Sequence, residues 1–306
     1  MRTALLVPCY NAEAFLPLLH EQVSRLQPAF NEVILADDGS TDATASTAAA
    51  MGFKVLSLHS NRGPGGARNA LAAAATSDWI HFHDVDDELA PDYLARVQPN
   101  ATSDCDVVMH FVDFIDAQTR CLEIRWKFDL PALTVAPQAT LLAQPMPTQS
   151  SMIRRQTFLD IGGFNELHRC FEDADLHFRL ACHGARIKGM PEVLEWGLRR
   201  SGGAGSNQHY CYQCRLAFLL LYESSCGAKL SEALGKEAER VAVMLLRAGD
   251  TLGALTAIQL AERLGKDVPT TSNIAIKLLK KALPQSQLRL LRAQDKMRQS
   301  LQRIFG

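Results

Sequence analysis

Asp84, Asp86 and Asp87 crowd together in the stretch HFHDVDDELAPDYL, residues 81–94, directly after the apolar pair Trp79 and Ile80. Carboxylates this close repel one another and lose hydration on burial, so the arrangement costs stability unless a cation or hydrogen-bond donors compensate it. Few basic residues lie nearby in the sequence, and a bound divalent ion is the first compensation to consider. Oxygen ligands beside substrate phosphates suit magnesium or manganese better than zinc. Alternate residues of an extended chain point the same way, but at a strand end the chain turns. One carboxylate could therefore reach a ribose and the next a metal that bridges two phosphates. A structural salt-bridge cluster is the competing reading.

Other polar clusters have chemistry of their own. In ADDGSTD, Asp37 and Asp38 follow a strand pattern and Asp42 reads as a helix cap. Asp38 is placed to accept hydrogen bonds from a nucleobase edge, as the acidic rim residue does for ribose in other doubly wound folds. In HSNRGPGGARN the glycines let backbone approach a ligand. Arg68, in the first turn of the helix that follows, can meet a diphosphate alongside the helix N-terminus. A tight turn with a surface arginine is the plainer alternative. Glu172 and Asp173 open a helix in FEDADL, where acids complement the dipole.

Several chemistries are disfavoured. The first strand-to-helix turn, PCYNAEA, has no glycine, and Gly63-x-Gly65 follows the third strand and ends in Arg68, which argues against dinucleotide binding. Neither G-x-x-x-x-G-K-[ST] nor G-x-S-x-G occurs. A phosphatase using Asp84-x-Asp86 as nucleophile and acid wants Thr or Val where Glu88 stands. Cys211-x-x-Cys214, with His209 nearby, is one ligand pair in a helical segment without a second pair to complete a zinc set. The eight cysteines are otherwise scattered, as expected of reduced, mostly buried thiols.

The elements that must position these residues follow from periodicity. Strands are expected at 3–7, 33–36, 53–58 and 79–82, with helices at 12–26, 42–51 and 64–75 between them. This βαβα series predicts a doubly wound, mainly parallel sheet, in which ligands bind beyond the carboxyl ends of the strands. PCYN, ADDGSTD, HSNRGPGGARN and HDVDD all fall at such ends and so converge on one rim. Further strands are expected at 106–115, 122–126, 149–153 and 192–198, with helices near 137–143 and 173–182. From about residue 206 the pattern is helical throughout, at 216–222, 231–247, 252–264 and 274–283, so we divide the chain into residues 1–205 and a helical appendage, 206–306. At 47% apolar residues and a formal net charge of -1, the composition is that of a globular protein without the basic balance of a nucleic-acid binder. The N-terminal apolar run is too short for a signal peptide or a membrane span, and a cytoplasmic location is expected. The final segment, IKLLKKALPQSQLRLLRAQDKMRQSLQRIF, sets eight Lys or Arg against Asp295 with apolar residues at helical spacing. That pattern allows peripheral contact with anionic lipid at the inner face of a membrane, or simply a solvated helix face.

Taken in order, PCYNAEAFL, ADDGSTDAT, NRGPGGARNALAAAATSDWIHFHDVDDELAPDYL, SSMIRRQTFLDIGGFNE and FEDADLHFRLACHG resemble the inverting family 2 of glycosyltransferases, with its GT-A fold, over about residues 1–200. The resemblance implies a nucleotide-binding rim carrying a nucleotide-sugar donor, with UDP the usual nucleotide. Pro8, Tyr10 and Asp38 match the positions that hold the base, with Asn11 in the same donor-binding set, and Arg68 matches the arginine of an A-R-N motif near the nucleotide. Asp84 and Asp86 match the D-x-D pair for ribose and metal, with Asp87 an additional acid that could share the Mn2+ or Mg2+. Glu172-Asp173 matches an E-D motif in which Asp173 is the base that deprotonates the acceptor hydroxyl. A departure follows the last strand: where many members carry an R-x-H-like element, this chain reads EWGLRRSGGAGSNQH, leaving Arg199 or Arg200 to assist the diphosphate. The activity implied is metal-assisted, inverting transfer of a sugar to a hydroxyl of a glycan or lipid-linked acceptor in surface polysaccharide synthesis. The alternative is a non-catalytic nucleotide- or glycan-binding relative acting as a scaffold.

Overall fold

TALLVPC forms β1 (Thr3–Cys9), and its unbroken apolar run reflects burial on both faces between two parallel neighbours. A computed structural model describes residues 1–166, 170–200, 207–224 and 228–264. The chain divides into two compact units, Met1–Ser206 and Asn207–Gly306.

In the first unit β1 is followed by α1 (Leu16–Arg25), β2 (Glu32–Asp37), α2 (Thr44–Ala50), β3 (Lys54–Ser57), α3 (Gly63–Ala74) and β4 (Trp79–Phe82). Then come β5 (Glu88–Leu89), α4 (Tyr93–Val97), β6 (Val107–Asp116), β7 (Leu122–Trp126), α5 (Leu130–Val135), α6 (Pro137–Ala143), β8 (Ser151–Arg154), α7 (Arg155–Asp160), α8 (Glu172–Cys182) and β9 (Ile187–Arg199). Among the described residues these strands form one sheet in the order β3-β2-β1-β4-β8-β6-β9-β5, with β7 paired to β6. The β3-β2-β1-β4 half is parallel, as the βα alternation predicts. Alternation ends at the acidic stretch, and beyond it pairing is mixed: β8 runs antiparallel to β4 and β6, while β6 and β9 are parallel.

Side chains alternate across each strand, so β1 serves two cores. Ala4 and Leu6 pack in a cluster with Ala67, Leu71, Phe82 and Phe158, whereas Leu5 and Val7 join Leu16, Leu19, Trp79 and Tyr93. The short α4 and α5 escape periodicity analysis because each offers only one or two turns.

The second unit consists of α9 (Gln208–Tyr222), α10 (Ala228–Arg247) and α11 (Thr251–Arg263). A turn through Gly249 separates the last two, and Asp250 caps α11 by accepting the Gly253 N–H at 2.8 Å. Leu234, Ala238, Val241 and Leu245 are buried on α10, at helical spacing, as are Ala254, Leu255 and Ile258 on α11. His209, beside Cys211-x-x-Cys214, is turned to Asp250 at 2.9 Å, and Cys211 and Cys214 are both half-buried. No described helix is long and apolar enough to cross a membrane. The helix expected at 274–283 and the basic amphipathic segment lie outside the described residues.

One side chain locks α3 to the loop that leads to α8. Asn69 Oδ1 accepts the Phe164 N–H at 2.8 Å and its Nδ2 donates to the Phe164 carbonyl at 2.9 Å. Gly163 lies against this clamp with φ +67°, and a Cβ there would stand 2.3 Å from Asn69 Oδ1. Gly163→Ala therefore combines backbone strain with a clash against a pinned amide and is expected to cost about 2 kcal/mol or more. Thermal unfolding should show Tm lowered by roughly 4–8 °C.

Candidate functional site

The chain leaving β4 makes a tight turn, closed by the Asp87 N–H on the Asp84 carbonyl at 3.1 Å, so its carboxylates diverge. Asp84 gives Oδ1 to Arg68 Nη2 at 2.7 Å and Oδ2 to Gln149 Nε2 at 3.1 Å. Asp87 is pinned from both sides, accepting from the same Gln149 amide at 2.6 Å and from the Leu198 N–H on β9 at 2.8 Å. Asp86 is left facing outward, half-buried, against Arg200 at 2.5 Å, and the Arg200 guanidinium stacks on the Phe15 ring at 4.8 Å.

Compensation of the acids thus comes from Arg68, Arg200 and Gln149, brought in by folding. It is incomplete. Burial and the neighbouring Asp84 charge push the Asp87 carboxyl up to about 8 and raise that of Asp86. An outward carboxylate that is reluctant to carry its charge is a good ligand for a hard divalent cation, and its oxygen donors fit magnesium or manganese. Asp86 fits that role; Asp84 and Asp87 both have each oxygen on a protein donor, but Asp84, with its side chain 33% exposed, stays open to a cation beside Asp86, whereas Asp87 holds the turn.

Arg68 stands in the second turn of α3, not the first as expected, because the helix already starts at Gly63, and it is 5% exposed although charged. Burial works against the cation, but Asp84 and Glu172 outweigh it and raise its pKa. Its Nη1 reaches Glu172 at 3.1 Å, so one guanidinium joins the acidic turn to the start of α8. The Nε of Arg68 is buried and meets no partner among the described residues. Phe171, just before α8, has φ +72°, a conformation costly for an aromatic residue, and it aims the first turn of the helix. Asp173 follows, half-buried, its carboxyl pushed up to about 7 by burial and by the adjacent Glu172 charge.

The other rim residues are tied to one another. Asn11, at φ +49°, accepts the Thr41 N–H at 2.8 Å, linking the loop after β1 to the loop after β2. Tyr10 is left 52% exposed at the rim beside Pro8. Asp38 is buried, and its two oxygens accept the backbone N–H groups of Arg62 and Gly63 at 2.8 and 2.9 Å. It therefore organises the glycine-rich turn. Asp42, expected as the helix cap, stands one residue ahead of the Ala43 cap of α2 and accepts the Thr44 N–H at 3.0 Å. The two arginines after the last strand part company: Arg200 joins Asp86, while Arg199 pairs with Glu123 of β7 at 3.3 Å. Sequence reasoning misses Gln149 and the Leu198 N–H, since neither an amide before a strand nor a backbone donor has a pattern to recognise.

A model of the family described as glycosyl transferase family 2 matches residues 4–165. The succinoglycan biosynthesis protein ExoO of Rhizobium meliloti (strain 1021) is 33% identical over 141 residues, 45% of this chain and 40% of that protein. A PGL/p-HBAD biosynthesis glycosyltransferase of Mycobacterium bovis (strain BCG / Pasteur 1173P2) is 27% identical over 215 residues, 65% of this chain and 77% of its own length. The chain spans about half the length of several curated relatives, 40% of ExoO and 52% of ExoU from the same organism. Among solved structures, S. aureus TarS 1–349 in complex with UDP-GlcNAc has a TM-score of 0.55 at 18% identity, covering 86% of this chain and 90% of that one. The mannosyltransferase PcManGT from Pyrobaculum calidifontis, in complex with GDP-Man and Mn2+, reaches 0.59 at 16% identity, covering 96% of this chain and 84% of its own. These likenesses identify the fold as GT-A.

The double contact of Arg68 has a measurable consequence. Arg68→Met leaves Asp84 and Glu172 without their shared cation and is expected to cost about 3 kcal/mol or more by thermal or urea unfolding. Arg68→Lys should recover only part of that, because an ammonium cannot present the planar fork that serves both acids.

Proposed function

The chain belongs to glycosyl transferase family 2, and on that premise we propose that it is a transferase moving a sugar from a nucleotide donor to an acceptor hydroxyl with inversion. The observation that carries this reading is the Arg68 bridge, which holds the acidic turn after β4 and the Glu172-Asp173 pair on one guanidinium. A donor site and a base are of use together only if a bond is broken at one and formed at the other.

In this reading the nucleotide lies over the rim made by Pro8, Tyr10 and Asn11, with the exposed Tyr10 ring available to stack on the base. Asp38 supports the site through the glycine-rich turn it caps. Asp86 and Asp84 would hold Mn2+ or Mg2+, which when bound supplies positive charge for the departing diphosphate. Arg200 adds a protein cation at the same place. Asp173 accepts the proton of the acceptor hydroxyl; the oxygen forms its bond to the anomeric carbon as the bond to the nucleoside diphosphate breaks on the opposite face. Arg68 and Glu172 hold the charge around Asp173 in place.

UDP is the nucleotide of choice by likeness to the TarS complex, although the mannosyltransferase neighbour is a GDP-Man complex, so both are worth testing. The names of the curated relatives support a glycan or lipid-linked acceptor. We assign catalysis to residues 1–205 and leave to 206–306 a part in acceptor or membrane contact, through the basic segment near the C-terminus.

Release of nucleoside diphosphate from a panel of nucleotide sugars, in the presence of manganese, tests the reading. Because the base must be unprotonated, kcat/KM should fall tenfold per pH unit below about 7, the value near which Asp173 gives up its proton, and level off above it. Asp173→Asn should lower kcat by at least about 100-fold while leaving donor affinity within a few-fold. Equal turnover in Asp173→Asn, or a scaffold's indifference to every nucleotide sugar, would refute it.

A further inference from the structure

Beneath the acidic turn lies a polar network with no part in the chemistry above. Glu195 on β9 is 0% exposed, as are His81 and His83. His83 Nδ1 lies 2.6 Å from one Glu195 oxygen and His81 Nε2 lies 3.0 Å from the other. Burial alone would raise the Glu195 carboxyl; the two histidines outweigh it and hold it below the usual carboxylate value. A buried charge of this kind is costly to assemble and must be held by good geometry.

By residue type the trio could ligate a metal, since the ligand atoms lie within 4.8 Å of one another. Proton accounting argues otherwise. Gln22 accepts the Leu89 N–H with Oε1 and donates from Nε2 to the Asp87 carbonyl at 3.1 Å, which fixes the orientation of its amide. The same Nε2 therefore donates to His83 Nε2, 3.3 Å away. With a lone pair on Nε2, neutral His83 carries its proton on Nδ1 and points it at Glu195, so that nitrogen is a donor rather than a ligand.

The place of the network gives its use. β4 and β9 are not neighbours: β8 and β6 stand between them, and sheet twist accumulates over three interfaces. Yet the turn after β4 must meet β9, because β5, which directly follows the turn, pairs with β9 at Glu195 and Trp196, Leu198 holds Asp87 and Arg200 holds Asp86. Glu195 spans the gap three residues before Leu198, and His83 immediately precedes Asp84. His81 also reaches across, its Nδ1 lying 3.0 Å from the Ser151 carbonyl of β8 and 3.0 Å from the Tyr93 hydroxyl.

We infer that Glu195 is a positioning residue, which with His83 and Gln22 braces β9 against the turn so that Asp86 and Arg200 stand at one fixed separation on the donor diphosphate and its metal. The inference rests on the donor-site reading given above. Calorimetric titration of UDP with manganese into the full chain separates the two. Wild type should bind, and Glu195→Leu, which leaves the His83 Nδ1–H without its acceptor, should bind at least tenfold more weakly while circular dichroism shows it folded. Gln22→Met alters the brace without touching a buried charge and should weaken binding in the same direction. Folded variants that match wild type in affinity, even with a lowered Tm, would make Glu195 merely structural and overturn the inference. Failure of wild type to bind any nucleoside diphosphate with manganese would instead overturn the donor-site reading on which it rests.

Discussion

Arg68 is the charge on which the acidic rim depends. Its guanidinium, 5% exposed, touches Asp84 on the turn after β4 and Glu172 at the start of α8, two residues that lie far apart in the chain. Coulomb attraction in a poorly hydrated environment is strong, but so is the penalty for burying any one of the three groups alone. The three therefore fold together. Asn69, the next residue, extends the same link by clamping the Phe164 backbone, so the middle of α3 ties down the loop that leads to the acid pair.

A single cation does not neutralise the rim, and the residual imbalance is informative. Asp86 and Asp87 on one side and Asp173 on the other all have carboxyl groups shifted upward, each chiefly by burial and then by a neighbouring acid. Arg68 stands between the two groups and keeps them from merging into one cluster. On the turn side the excess favours capture of a divalent cation; on the α8 side it brings a carboxyl to where it can exchange a proton near neutral pH. Distinct roles for similar side chains arise from what each one faces.

Much of this was legible in the sequence. The strands β1 to β4 and their helices announce themselves by apolar runs and helical spacing, and the polar clusters at their ends fall on one rim because parallel strands share a direction. Charge compensation was not legible, since Arg68 to Glu172 and Arg200 to Asp86 span 104 and 114 residues. Scarcity of basic residues near Asp84 in sequence pointed to a metal as the main counter-charge, whereas folding supplies two arginines and the Gln149 amide. That Asp38 also organises the glycine-rich turn was not legible, because the Arg62 and Gly63 N–H groups it binds belong to a different turn. The Glu195 network escaped for the same reason: histidines on an apolar strand carry no pattern until β9 is brought beside them.

The central claim is that the turn after β4 binds the donor diphosphate and its metal through Asp86. Anomalous diffraction from crystals grown with UDP and manganese tests it most directly. One manganese peak is expected in bonding distance of an Asp86 oxygen, beside the diphosphate, with Arg200 in the same cluster. A peak among His81, His83 and Glu195, or a nucleotide bound away from the rim, would contradict it.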